Sequence, residues 1–321
     1  LPAETVMAWF VVRRFGLLVV ALLVASVLVF LLLRLLPGDL AAVIGGVEAT
    51  PERLDAIRDE LGLDRPLIAQ YFEWMGGVLT GDFGRSALTR STVTSQLGAK
   101  LTITGPLILA STVLSLAVAV PLGLYAAVRH RRADGVGLSA IGQLGIAVPQ
   151  FLVGITLIAM FAGKWGLPSQ SFPRGGWDEP GRAIRALVLP TLTLATAQAA
   201  ILLRFVRAAT LDVLNQDYIR TARSKGLGRI EALFVHGLRN AAIPVVSVLG
   251  IQLATLIAAV VVIERVFNLP GVGLMLVKDI GNRDFDKVQG TILLIAAIVL
   301  VIGFLIDVVH HLIDPRLRSA G

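Results

Sequence analysis

Asp217-Tyr-Ile-Arg-Thr-Ala-Arg-Ser-Lys-Gly-Leu-Gly228 is a basic, glycine-punctuated stretch set between two apolar runs, 186–203 and 240–263. Arg220, Arg223 and Lys225 are costly in hydrocarbon, whereas the flanking runs carry no charge at all. The stretch is therefore expected in water and the runs in lipid. Placing it fixes which segments cross a membrane and which side each loop occupies.

Working outward, the same division repeats along the chain. Of the 321 residues 55% are hydrophobic and 16% charged, against roughly 25% charged in an average soluble domain; the mean hydropathy is +0.80. Six long windows hold no charged residue: 15–33, 101–128, 135–163, 186–203, 240–263 and 288–306. Each reaches the ~18–20 residues that cross ~30 Å of hydrocarbon at about 1.5 Å per residue. A barrel would need alternating strands of about ten residues, and Leu17 to Leu33 does not alternate. The expected fold is all-α, an integral membrane protein of six transmembrane helices. Val266 to Val277, a further uncharged run, is too short to span and carries Asn268 and Pro270-Gly271; it is expected as a turn or interfacial piece.

An even helix count puts both termini on one side. Segments 1–14, 129–134, 204–239 and 307–321 hold 14 Lys/Arg and 7 Asp/Glu in 71 positions. Segments 34–100, 164–185 and 264–287 hold 15 of each in 113. The denser basic side is the cytoplasmic one, which puts both termini in the cytoplasm of a multi-pass plasma-membrane protein. The pI near 10.3 then reflects topology, with no nucleic-acid partner implied. The chain divides into a tail (1–14), a first transmembrane helix (15–36), an external insert (37–100), a transmembrane core (101–311) containing the loop 208–239, and a second tail (312–321). At 19 uncharged residues, the first window exceeds a signal peptide's apolar region and is expected to stay as an anchor.

Local signals refine this division. Arg13-Arg14 is expected among the inner lipid headgroups. Leu36-Pro37-Gly38-Asp39 leads into the insert, where Thr50-Pro51-Glu52 predicts a capped helix start and Gly62 its end. Pro106, Pro121 and Pro149 fall inside windows, where they produce either packing kinks or a polar path. In loop 164–185, Asp178-Glu179 beside Trp165 and Trp177 suits either a bound cation or peptide amino group, or interfacial anchoring of the tryptophans. Gln143, Gln150, Gln198 and Gln252 are the amides inside charge-free windows, hence candidates for a translocation path. Around the opening stretch, Ala208 to Lys225 is predicted as helix, Gly226-Leu-Gly228 as a break, and Arg229 to Leu238 as a second short helix, together forming an elbow. A basic hairpin lying on anionic headgroups is the competing reading.

Several motifs decide between these. Gly226 and Ala222 fit the Glu-Ala-Ala-x-x-x-Gly docking pattern of ATP-binding-cassette importer permeases, with Arg220 and Thr221 in place of Glu and the first Ala. Also in place are Leu61-Gly-Leu-Asp-Arg-Pro66, Gly81-Asp-Phe-Gly-Arg-Ser86, His236-Gly-Leu-Arg-Asn-Ala-Ala-Ile-Pro244, Glu264-Arg-Val-Phe-Asn-Leu-Pro-Gly-Val-Gly273, Val288-Gln-Gly290 and Asp314-Pro-Arg-Leu-Arg318. In that order they resemble the B-type permeases of the dipeptide, oligopeptide and nickel importer family. The resemblance implies a second homologous permease, two cytoplasmic ATPase subunits, an external solute-binding protein and a peptide substrate, with nickel chelates, glutathione and oligosaccharides as alternative cargoes of the same architecture. It assigns the ATPase contact to Tyr218, Ile219, Arg220, Thr221, Ala222, Arg223, Ser224, Lys225, Gly226 and Gly228.

Other chemistries lack their residues. With no cysteine, thiolate sites and disulfides are excluded. No phosphate-binding Gly-x-x-x-x-Gly-Lys-Ser/Thr occurs, since Gly163-Lys164 runs into Trp165. His310-His311 are adjacent, with His130 and His236 remote, so no metal site, cofactor or enzyme activity is expected. An ion-coupled transporter usually needs an intramembrane acid or base, and the six windows contain none.

Overall fold

The computed structural model describes residues 3–35, 41, 45, 49–60, 64–86, 88–164, 166–168 and 172–313. The motifs at Leu36–Asp39, Leu61–Leu63 and Asp314–Arg318, together with Trp165, lie outside the described residues. In chain order the helices are α1 (Ala3–Leu35), α2 (Pro51–Glu60), α3 (Leu67–Leu79), α4 (Val93–Val128), α5 (Ala133–Ala147) and α6 (Gln150–Phe161). After a 3-10 turn at Gly176–Asp178 come α7 (Pro180–Leu214), α8 (Asp217–Ser224), α9 (Arg229–Val266), α10 (Val272–Gly281) and α11 (Phe285–Ile313).

Five of these, α1, α4, α7, α9 and α11, are long and apolar enough to cross a membrane. The window 135–163 is not one straight helix: α5 and α6 meet at 101°. Val148 is extended (φ −83°, ψ 124°), the conformation a following proline imposes, and Pro149 starts α6 by accepting from Leu152 and Val153 N–H. Pro106, Pro121, Pro190 and Pro244, by contrast, are carried inside continuous helices.

Three further expectations are corrected. The predicted helix Ala208–Lys225 is interrupted at Asn215-Gln216, so Ala208–Leu214 belongs to α7 and only Asp217–Ser224 stands apart. Arg229–Leu238 is not a separate short helix but the start of α9, joined to the rest through a π-helical turn at Leu233–Gly237. In the run Val266–Val277 the turn is real but short. Asn268 (φ 48°) stops α9 by letting Leu269 N–H reach Glu264 O (2.8 Å) and its own N–H reach Arg265 O (3.3 Å), after which α10 begins at Val272.

The chain forms two compact units. In the first (Leu1–Phe15, Gly105–Leu269, Val301–Gly321), α7 is the central helix. Of its apolar window 72% is buried, against 28% or less for the other long spans. It packs on α9, α5 and α6, with Leu202 and Leu203 among Ala119, Leu138, Val245 and Leu249. Thr193 and Thr210 return their hydroxyls to Leu189 O (2.8 Å) and Val206 O (2.7 Å), so both buried hydroxyls are satisfied within the helix. Arg14 forms an ion pair with Asp307 (2.9 Å), and Phe10 stacks on His311 at 4.1 Å.

The second unit (Gly16–Thr104, Pro270–Leu300) contains the insert. α2 begins as its cap signals dictate, with Leu54 N–H donating to Thr50 O at 3.0 Å. α3 docks on α1 through Phe30, Tyr71 and Trp74, with Ser26 and Tyr71 hydroxyls 2.8 Å apart. Two motifs some 200 residues apart meet here. Ser86 donates to Asp284 (2.5 Å), and a Cβ on Gly290 would lie 2.9 Å from Phe83 O. Val93, Leu97, Val272 and Met275 fill the space beneath them.

Candidate functional site

α8 is an eight-residue helix set between the candidate spans α7 and α9. Gln216, extended at φ −72° and ψ 149°, starts it by accepting from Ile219 and Arg220 N–H, and Asp217 places negative charge at the positive end of the helix. Thr221 and Ser224 return their hydroxyls to Asp217 O (3.0 Å) and Arg220 O (3.1 Å). The C-terminus is a Schellman turn: Gly226 N–H donates to Arg223 O (3.0 Å) and Leu227 N–H to Ala222 O (3.3 Å). That turn requires Gly226 at φ 99°, a region side-chain-bearing residues rarely adopt.

The ten positions assigned to the segment divide by environment. Ile219 and Ala222 are buried in a cluster with Val213 and Leu214 of α7 and Ala232, Leu233 and Ala241 of α9; Leu124 and Val128 of α4 and Leu227 pack on it. Burying a side chain such as Ile219 contributes about 1.5–3 kcal/mol. Tyr218, Arg220, Thr221, Arg223, Ser224, Lys225, Gly226 and Gly228 are exposed. Arg220 pairs with Asp217 at 3.3 Å, but at 70% and 96% exposure this pair contributes little. The outward face is thus basic and polar, and the inward face ties α8 to three long helices.

Sequence reasoning missed two supports. Gly237, within the π-turn of α9, lies so close to the neighbouring helices that a Cβ there would meet Val213 Cγ1 at 2.7 Å and Ile219 Cδ1 at 3.5 Å. Asn240 Nδ2 donates to Tyr218 Oη at 3.0 Å and orients that exposed ring. The Gly237-to-Asn240 spacing within the quoted motif was the available signal. Gly228, by contrast, does not need to be glycine: φ is −63°, and a Cβ would meet only Glu231 Oε2 at 4.0 Å. Gly228 is, however, the N-cap of α9, where glycine is preferred over alanine, so the unfolded-state gain of Gly228→Ala (~0.4–1 kcal/mol) is expected to be offset and the melting temperature in detergent to stay near the native one.

The four window glutamines do not form one set. Gln198 (4% exposed) and Gln252 (5%) are brought together, with Gln252 Nε2 donating to Gln198 O at 3.3 Å. Both amide atoms of Gln198 and Oε1 of Gln252 have no partner among the described residues. Gln143 is exposed and Gln150 half-buried, each on its own arm of the bent pair. The paired acids of loop 164–185 are also re-read: Glu179 is held by Arg182 at 2.6 Å. Among the described residues no three His, Asp or Glu side chains are grouped to hold a metal.

Comparison with known proteins places this geometry. The family described as the binding-protein-dependent transport system inner membrane component matches residues 119–319, and its N-terminal companion matches 7–98. A probable peptide ABC transporter permease protein of Sinorhizobium fredii is 37% identical over 316 residues, 97% of this chain and 100% of its own. A glutathione transport system permease protein of Escherichia coli (strain K12) is 37% identical over 310 residues, 96% of this chain and 98% of its own. A solved amino acid ABC transporter aligns at 17% identity and a TM-score of 0.43 over 66% of this chain and 95% of that one. With a family match across most of its length and relatives aligned end to end, the chain belongs to the inner-membrane permease components of binding-protein-dependent transport systems.

Proposed function

We propose that the chain is one of two homologous permeases of an importer for dipeptides and oligopeptides, supplied by an external solute-binding protein and driven by two cytoplasmic ATPase subunits. Supporting this reading above all is the build of α8, an exposed basic helix anchored by Ile219 and Ala222 between two candidate spans. In this reading both termini are cytoplasmic, and the outward side chains from Tyr218 to Lys225 enter a groove of the ATPase. When the ATPases close, displacement of α8 passes through the cluster into α4, α7 and α9 together, because a close-packed core transmits strain rather than absorbing it. The Gln198–Gln252 pair, with three unpartnered polar atoms, is where a peptide amide would find partners along the path.

Glutathione is the second cargo reading, favoured by the Escherichia coli relative, and nickel chelates a third. Uptake of a labelled dipeptide and a labelled longer peptide, in cells with and without the gene and with unlabelled glutathione or nickel chelate as competitor, separates them. Gene-dependent peptide uptake is expected. Unchanged peptide uptake with loss of another cargo would overturn the peptide assignment.

A further inference from the structure

Between α6 and the start of α7 the first unit holds an open cavity of about 470 Å³, lined by Arg174, Arg182, Arg185 and Glu179 over Pro168 and Ala186. Its size falls among small-ligand pockets, which run from roughly 300 to 1,000 Å³. Its charge is lopsided. Three guanidinium groups face one carboxylate, and that carboxylate is taken up by Arg182 at 2.6 Å. Arg174 and Arg185 form no ion pair among the described residues. Asp178, although adjacent in sequence, is not part of the lining.

The position adds to this asymmetry. Glu179 caps α7 and pairs with Arg182, so the positive end of the helix already has its anion, and Arg174 and Arg185 are the two guanidinium groups of the lining left over. A guanidinium offers a planar fork of N–H donors that matches the two oxygens of a carboxylate, and two exposed forks with no ion-pair partner among the described residues suit such an anion.

We propose that this cavity is a carboxylate-recognition site, taking either the free carboxylate of the cargo or an acidic side chain of the solute-binding protein. The proposal rests on the topology given under Proposed function, which places loop 164–185 outside. Because α7 runs unbroken from Arg182 past Gln198 to Leu214, beside α8, a carboxylate bound here engages the same helix that adjoins the candidate coupling segment.

The test uses the complete importer in proteoliposomes with its solute-binding protein, comparing native permease with Arg174→Ala/Arg185→Ala and Arg174→Glu/Arg185→Glu. Labelled dialanine, its C-terminal amide and glutathione are the probes. If the site takes cargo, half-saturation by dialanine and glutathione rises about tenfold, as loss of a charge-assisted contact predicts, and the amide is unaffected. If it takes the binding protein, the half-saturating concentration of that protein rises about tenfold, and the preference for free acid over amide is unchanged; either result supports the site. The chain has no cysteine, so Arg174→Cys reports topology by labelling with a membrane-impermeant maleimide. External labelling with both concentrations unchanged in the charge-reversed variant overturns the carboxylate site alone. Labelling only from the ATPase side overturns the topology and with it the reading under Proposed function.

Discussion

Gly226→Leu is expected to leave the chain folded and inserted while reducing uptake at least tenfold, with ATP hydrolysis continuing in the assembled complex. Space inside this chain is not the obstacle, since a Cβ at Gly226 meets nothing within 4 Å. Conformation is: φ is 99°, and forcing a side-chain-bearing residue into left-handed backbone costs roughly 1–2 kcal/mol. That amount cannot unfold a membrane bundle, but it suffices to undo one Schellman turn. Once Leu227 N–H leaves Ala222 O, the C-terminal half of α8 loses the anchor that fixes its angle to α9. Uptake and hydrolysis measured on the same proteoliposomes check this; wild-type uptake per ATP would sink the coupling role of α8.

Lys287→Met is expected to destabilise the second unit by about 3–5 kcal/mol, the range for orphaning one member of a buried ion pair. Lys287 Nζ lies 3.0 Å from Asp279 Oδ1, with both side chains 8% exposed. Burial pushes the Asp279 carboxyl above the usual carboxylate range, and the bond from Lys287 opposes that rise. Without that lysine only the weaker attraction of Lys100 opposes the burial, so the protonated form favours the fold. A raised acid gives stability that is present at low pH and lost as pH rises through the folded-state value. The deficit of Lys287→Met should therefore shrink on acidification, and Asp279→Leu/Lys287→Met should recover most of it. Melting curves in detergent across pH check both; a single variant that melts like the native protein would contradict the account of this pair.

How far the molecule was legible in its sequence follows from what each signal measures. A charge-free window measures hydrocarbon thickness, so it found the spans but not the helix ends. α7 begins six residues before its window and continues eleven beyond it, because Arg182, Arg204 and Arg207 are good helix formers although charged. The stop at Gly226 was readable because only glycine suits its backbone. The break at Asn215-Gln216 carries no glycine or proline, and the joining of Arg229–Ala232 to α9 depends on a π-turn that no local pattern announces. Ala222 carried the family resemblance and Ile219 was assigned with it to the ATPase contact, yet both face inward, as the i, i+3 spacing of the two aliphatic residues in this amphipathic helix allows. Of the four glutamines, Gln198 and Gln252 meet because α7 and α9 pack directly, whereas Gln143 and Gln150 are separated by the bend at Pro149.

The outer face of α8 is the proposed ATPase contact. The absence of cysteine allows it to be tested by placing single cysteines from Asp217 to Lys225 and cross-linking the assembled complex to the ATPase subunits with a short bifunctional reagent. Cross-links are predicted at Tyr218, Arg220, Thr221, Arg223, Ser224 and Lys225, with none at Ile219 or Ala222, a pattern set by the helix face. Cross-linking absent along the whole segment, or equal at buried and exposed positions, would contradict it.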